Sequence, residues 1–318
     1  MEKQEILLES GTNEMELMAF RIGASRFGLN VAKILAIQRY DPALVTHIPL
    51  EHPAMMGMML YRKRTIPLVD LAVSLKIGTE QDNERPIVMI TEFNNATTGF
   101  RVDRVDRIYR LHWHDFTPID SLLSSYGESI IGSVHMDDSE ILVVDLERIL
   151  ADIYPEQVIE ELTKETIEKS PGVSRENMRL FFAEDSRTIR EAVVCSLKKI
   201  GFKNIQVFDN GQKAYDALAS LQAQIKKDAT AQVELPHLLL TDIEMPMMDG
   251  LTLCKKTKEE LGLRQIPVIM FSSLINEQMK LKCQEVGASG YITKPEVNAL
   301  IGILDKICQE ATACHPAA

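Results

Sequence analysis

The chain has 318 residues, 45% of them apolar and 25% charged, with a net charge of −11. That length exceeds one ordinary hydrophobic core and suits two domains, while the acidity argues against a general nucleic-acid binder, which needs clustered cations. No apolar run reaches the roughly 18 residues of a spanning helix, and the acidic opening MEKQEILLES is unlike a secretory leader, so a cytoplasmic protein is expected.

From Glu16 to Leu150 the apolar residues come in short runs bounded by Gly, Pro, Asn and Asp: Glu16–Ile22, Arg26–Val31, Ile34–Tyr40, Thr65–Val69, Ile87–Thr91, Gly99–Val102 and Ile141–Val144. This spacing predicts many short strands, hence a barrel or sandwich, with short helices at Asp70–Leu75 and Leu146–Leu150. No internal repeat is visible. His112 and His114 are the one close histidine pair, and without a third ligand they read as surface residues.

Residues 151–177 are rich in Glu and end in Ser170-Pro171-Gly172. They read as a linker in which Glu156–Lys169 forms one solvated helix before the Pro-Gly break.

From Met178 onward strands and helices alternate. Strands are predicted at Arg179–Ala183, Ile205–Phe208, His237–Thr241, Ile266–Phe271 and Gly290–Thr293. Helices are predicted over Arg187–Lys199, Gln212–Ile225, Leu251–Leu261, Glu277–Val286 and from Glu296. Five such units predict an α/β doubly wound, five-stranded parallel sheet with both faces covered. A polar surface insertion is expected around Gln222–Glu234. The five cysteines, Cys195, Cys254, Cys283, Cys308 and Cys314, form no CxxC pair and read as reduced, mostly buried thiols.

In an open parallel sheet ligands collect at the carboxyl ends of the strands. There the chain carries Glu184-Asp185 after the first strand, Asp242 after the third, Ser272-Ser273 after the fourth and Lys294-Pro295 after the fifth. Any one of these alone is an ordinary cap or turn residue. Together, three carboxylates converging on one edge call for a hard cation, and Mg²⁺ prefers such oxygen ligands. With a hydroxyl and a lysine beside them, they form a constellation for phosphoryl transfer.

The segments Phe182–Ser186, Thr241–Gly250, Met270–Ser273 and Gly290–Pro295 resemble those of two-component receiver domains, a flavodoxin-like fold. The resemblance implies that Asp242 accepts the phosphoryl group and that Asp185 and Asp242 bind Mg²⁺ directly. Glu184 would act on the metal through water, and Glu244 through its main-chain carbonyl. Lys294 would hold the phosphoryl oxygens, with a cis Pro295 after it. Ser272 would hydrogen-bond the phosphoryl group, and Tyr291 would move with it as the switch aromatic. Glu184 stands where an Asp is commoner, which lengthens its arm.

The first half carries Met15–Arg21, Gly28–Ile34, Ile48-Pro49, Met56–Arg62, Thr65–Leu71, Gly99–Val105 and Ile130–Gly132 ahead of Leu142–Leu146. This series is similar to CheW-like coupling domains, which are all-β paired small barrels without a cofactor. Such domains dock the cytoplasmic tips of methyl-accepting chemoreceptors and the histidine kinase CheA. Arg62 matches the family's partner-binding arginine, although Lys63 stands where a glycine is usual. The methionines of Met55–Met59 read equally well as an adaptable docking surface or as core.

A coupling domain over residues 12–152, an acidic linker over 153–177 and a receiver over 178–310 resemble the CheV chemotaxis family. The resemblance implies a non-enzymatic signalling adaptor at chemoreceptor arrays, modulated in coupling by phosphorylation or serving as a phosphate sink. It would take its phosphoryl group from a phosphohistidine. The competing reading, a metal-dependent phosphatase, rests on Asp242-Ile243-Glu244 and lacks any segment for a substrate cap.

Overall fold

The computed structural model describes residues 11–48, 52–78, 86–94, 96–118, 129–155, 160–163, 166, 175–227, 233–274 and 277–314. They fall into two compact units, Met15–Glu156 and a second made of Gln157–Ala318 with the segment ending at Glu14.

The first unit runs β1 (Glu14–Ile22), β2 (Ser25–Asn30), β3 (Ile34–Arg39), β4 (Val45–Thr46), β5 (Met55–Tyr61), β6 (Arg64–Asp70) and α1 (Leu71–Ser74). It continues with β7 (Ile87–Phe93), β8 (Ala96–Val102), β9 (Arg104–His112), β10 (Phe116–Pro118), β11 (Ile130–Met136), β12 (Ser139–Val144) and α2 (Leu146–Ile153). The strands form two six-stranded sheets, ordered β10-β11-β12-β2-β1-β9 and β3-β7-β8-β6-β5-β4. Hairpin β1–β2 joins β9 to β12, while hairpin β7–β8 joins β3 to β6. Each half of the unit thus gives its opening hairpin to one sheet and four strands to the other. This duplication lies in the topology, and no sequence repeat announces it.

Every strand expected from the alternating runs is present. The strands missed by that reading include β9, whose Arg104, Asp106 and Arg107 face solvent and hide the apolar alternation. Both α1 and α2 start where the sequence places an aspartate after a strand. Asp70 Oδ1 accepts from Ala72 N at 3.0 Å, and Asp145 Oδ1 accepts from Arg148 N at 3.0 Å.

Three apolar clusters fill this unit. One lies within each sheet's barrel, and a third is shared, with Phe20 and Phe27 from one sheet, Phe100 and Met89 from the other, and Leu71 and Leu146 from the two helices. Burying each such side chain contributes roughly 1.5–3 kcal/mol. The shared cluster is what makes two small barrels one unit. Met59 is core, whereas Met55, Met56 and Met58 are half-buried.

The second unit alternates β13 (Arg179–Ala183), α3 (Arg187–Lys199), β14 (Asn204–Phe208), α4 (Gly211–Lys227), β15 (Leu238–Thr241), α5 (Gly250–Glu259), β16 (Val268–Ser272), α6 (Glu277–Glu285), β17 (Gly290–Thr293) and α7 (Val297–Cys314). All pairings are parallel, in the order β14-β13-β15-β16-β17. Successive strand residues serve opposite faces. Phe182 and Leu240 pack with Val193 of α3 and Leu300 of α7, while Phe181 and Leu239 pack with Leu218 of α4 and Leu253 of α5.

One expectation needs correction. Residues 160–163 are not helical. Their polar groups bond instead to Pro295 and Asn298, which offer the backbone partners that a solvated helix would have supplied internally. Thr166 is helical, and the rest of Glu156–Lys169 lies outside the described residues. Residues 222–227 of the surface insertion expected at Gln222–Glu234 continue α4, which runs to Lys227, and Gln222 Nε2 donates to Leu261 O at 3.0 Å.

Candidate functional site

Parallel pairing brings the carboxyl ends of β13, β15, β16 and β17 side by side, and main-chain bonds fix the residue beyond each end. Glu184 N donates to Phe208 O at 3.0 Å, Asp242 N to Ala183 O at 2.9 Å, and Lys294 N to Ser272 O at 3.1 Å. Glu184, Asp242, Ser272 and Lys294 are all buried, and Asp185 is half-buried. Lys294 Nζ donates to Asp242 Oδ2 at 2.8 Å and to Glu184 Oε1 at 3.1 Å. The other Asp242 oxygen accepts from Ile243 N at 2.5 Å.

Glu184, Asp185 and Asp242 each offer a carboxylate oxygen within 4.8 Å of the others, the one such group of metal-ligating side chains among the described residues. The donor set is all hard oxygen, and among the described residues the buried Glu184 Oε2 has only the Lys294 ion pair at 2.9 Å. One ammonium faces three acids, a deficit of positive charge that a divalent cation with oxygen preference suits. The residues therefore fit Mg²⁺.

Burial, above all, pushes the Glu184 carboxyl well above the usual range. Asp242 and Asp185 push the same way, and Lys294 opposes them. A cation held here would require the ionised carboxylate, so a proton on Glu184 would oppose it. The apparent Mg²⁺ affinity should therefore rise with pH until Glu184 is ionised without metal. Titration calorimetry over a pH series should show proton release on binding, and Glu184→Gln should flatten the dependence.

Three supporting residues were not singled out by sequence reading. Arg190, on the first turn of α3, donates through Nη1 to the carbonyls of Glu184 at 2.5 Å and Asp185 at 3.1 Å, which orients the acidic pair. Asp249 caps α5 by accepting from Thr252 N at 2.7 Å. Gly250 lies so close that a Cβ there would come within 2.0 Å of Asp242 O. The Asp-Gly dipeptide was a visible signal, but a glycine required by close approach cannot be told from one required by a turn without the backbone.

Ser272 Oγ accepts from Leu274 N at 3.5 Å. Tyr291 is half-buried on β17, opposite Met270, with Lys280 Nζ 5.7 Å from its ring centre. Glu244 is half-buried, two residues beyond Asp242. The Lys294–Pro295 peptide is cis. Arg62 belongs to the other unit, where Arg62 and Lys63 form the β5–β6 turn with φ of 46° and 68°. Lys63 thus takes the left-handed conformation that a glycine would adopt freely. His112 and His114 stack at 5.0 Å. Cys254, Cys283 and Cys308 are buried thiols, with burial pushing the first two up to about 12, whereas Cys195 is exposed. Among the described residues no helix is long and apolar enough to cross a membrane.

Residues 16–154 match the CheW-like domain and residues 180–305 match the response regulator receiver domain. The chain is similar to chemotaxis protein CheV3 of Helicobacter pylori, 30% identical over 93% of this chain and 95% of that protein. It is also similar to CheV1 of the same organism, 27% identical over 89% of each chain, and to CheV2, 23% identical over 92% of this chain and 95% of the other. A CheW-like domain and a receiver domain on one chain, matched along almost its whole length by such relatives, make this a member of the CheV family of chemotaxis adaptors.

Proposed function

We propose that the CheW-like unit couples chemoreceptors to the histidine kinase CheA, and that phosphorylation of Asp242 adjusts that coupling. The observation that carries the reading is the buried Lys294 ammonium bonded to both Asp242 and Glu184, on a chain whose other half is a CheW-like domain. Membership of the CheV family supports the partners, and the turn at Arg62 is a candidate contact with them.

In this reading Asp185, Asp242 and the Glu244 carbonyl hold Mg²⁺ directly and Glu184 holds it through water. The metal, when bound, neutralises charge on the phosphoryl oxygens. An oxygen of Asp242 attacks phosphorus, forming a P–O bond as the P–N bond of a phosphohistidine breaks and the imidazole leaves with the electron pair. Lys294 then turns from the carboxylates to the phosphoryl oxygens, where its charge-assisted hydrogen bonds are strong. The Ser272 hydroxyl donates a further bond, and Tyr291 rotates into the space that Ser272 vacates.

The test is kinase activity in arrays reconstituted from receptor, kinase and this protein. Adding the protein should sustain receptor control of the kinase, and phosphorylating it should change that activity severalfold, as a coupling of about 1–3 kcal/mol implies. Kinase activity indifferent to the protein would overturn the coupling role. Control that persists unchanged on phosphorylation would leave the receiver as a phosphate sink.

A further inference from the structure

The chain passes between its two units twice, at Glu14/Met15 and at Glu156/Gln157. Near each crossing a short segment is fastened to a loop of the acidic pocket.

The first fastening is Asn13, one residue ahead of β1. Its Nδ2 donates to Met247 O at 3.0 Å, and its Oδ1 accepts from Asp249 N at 3.0 Å. One side-chain amide thus grips the loop from both sides, as a neighbouring strand would. Asn13 has φ 61°, a left-handed conformation that asparagine tolerates better than most residues. Gly11, at φ 73°, lies against Lys255 of α5, where a Cβ would meet its Cδ at 2.9 Å. The gripped loop connects Asp242 to α5. It is itself tied to the pocket through Gly250 N, which donates to Ile243 O at 2.9 Å.

The second fastening is at residues 160–163, seven residues beyond α2. Glu160 N donates to Pro295 O at 3.2 Å, and Glu160 Oε2 accepts from Asn298 N at 3.3 Å. Asn298 also uses both amide atoms, donating to Glu161 O at 2.8 Å and accepting from Thr163 N at 3.1 Å. Pro295 directly follows Lys294.

We propose that these are two clips that hold the chain crossings while the pocket is empty and loosen when Asp242 carries a phosphoryl group. The inference rests on the reading of Asp242 as acceptor. Each clip grips a loop whose other end bears a pocket residue, Asp242 or Lys294. Moving Lys294 from its carboxylate partners to phosphoryl oxygens displaces the main chain at Pro295. Accommodating the new group on Asp242 displaces the Ile243–Asp249 loop. The amide–amide geometry at Asn13 and Asn298 is short-range and directional, so small displacements break it. Occupancy of the pocket and closure of the clips are then linked, and linkage is reciprocal.

The experiment uses the full chain with Mg²⁺ and beryllofluoride, a stable phosphoryl mimic, and Mg²⁺ with fluoride alone as control. Hydrogen exchange should quicken at the backbone amides that the clips hold, those of Asp249, Glu160, Thr163 and Asn298, when the mimic binds. The variant Asn13→Ala/Asn298→Ala should bind beryllofluoride about fivefold more tightly or better, read from the bound ¹⁹F signal, because the clips no longer oppose occupancy. Unchanged exchange at these four amides in the wild type overturns the proposal, as does variant affinity equal to wild type. Absence of a bound ¹⁹F signal in the wild type overturns the acceptor reading itself and the clips with it. The exchange arm needs no variant, so it decides even if the double variant folds poorly.

Discussion

Asp242→Asn should abolish Mg²⁺-dependent labelling by acetyl phosphate or by a phosphorylated histidine kinase. Asparagine matches the shape of Asp242 and keeps an oxygen toward Lys294 Nζ, which lies 2.8 Å from Oδ2 in the native chain. Its amide is a poor nucleophile, however, and removes one of the three charges that favour a cation. Asp185→Asn makes the complementary test. It leaves Asp242 in place but removes a proposed metal ligand, so labelling should slow about 100-fold or more, the charge stabilisation by a bound metal being worth several kcal/mol. A phosphate-affinity gel after incubation with the donor measures both. Equal labelling of the wild type and Asp242→Asn would show that the phosphoryl group goes elsewhere.

Asp305→Ala should destabilise the receiver unit by about 3–5 kcal/mol, the usual cost of removing one partner from a buried ion pair. Arg175 is 1% exposed. Its Nε and Nη2 donate to the two Asp305 oxygens at 2.8 and 2.6 Å, and its Nη1 donates to Ile200 O at 3.0 Å. The bidentate pair ties the end of the linker to α7. Loss of the carboxylate strands a cation where water cannot reach it. Replacing both partners with apolar residues, as in Arg175→Met/Asp305→Leu, should recover most of the loss, because no charge is then left buried. Urea unfolding of the three variants reads the difference. A loss below about 1 kcal/mol in Asp305→Ala would mean that the pair is solvated in solution.

The helices and strands of the receiver unit were legible because their signals are local. Arg187–Lys199 shows apolar residues at helical spacing, with Ser186 as its cap. Arg179–Ala183 is apolar throughout because both faces of β13 are covered. The acidic pocket was legible for a related reason. Once the sheet is known to be parallel, Glu184, Asp185, Asp242 and Lys294 must arrive at one edge, whatever the loops between them do. The resemblance of those segments to receivers supplied the roles proposed for them.

The amino-acid sequence by itself determined the two-part organisation, the alternation of the second half, the Asp-capped helices after β6 and β12, and the identity of the residues at the acidic edge. Only the tertiary structure decided which strands share a sheet, since pairing of β1–β2 with β12 rather than β3 depends on contacts far apart in the chain, and hydrophobic period carries no record of partners. It likewise decided that Arg175 is buried against Asp305, 130 residues away, although a charged residue in a Glu-rich linker reads locally as solvated. The same holds for Asn13 and residues 160–163. Their hydrogen bonds go largely to backbone groups of distant loops, and a main-chain carbonyl such as that of Met247 or Pro295 has no side-chain chemistry through which a sequence could reveal its partner.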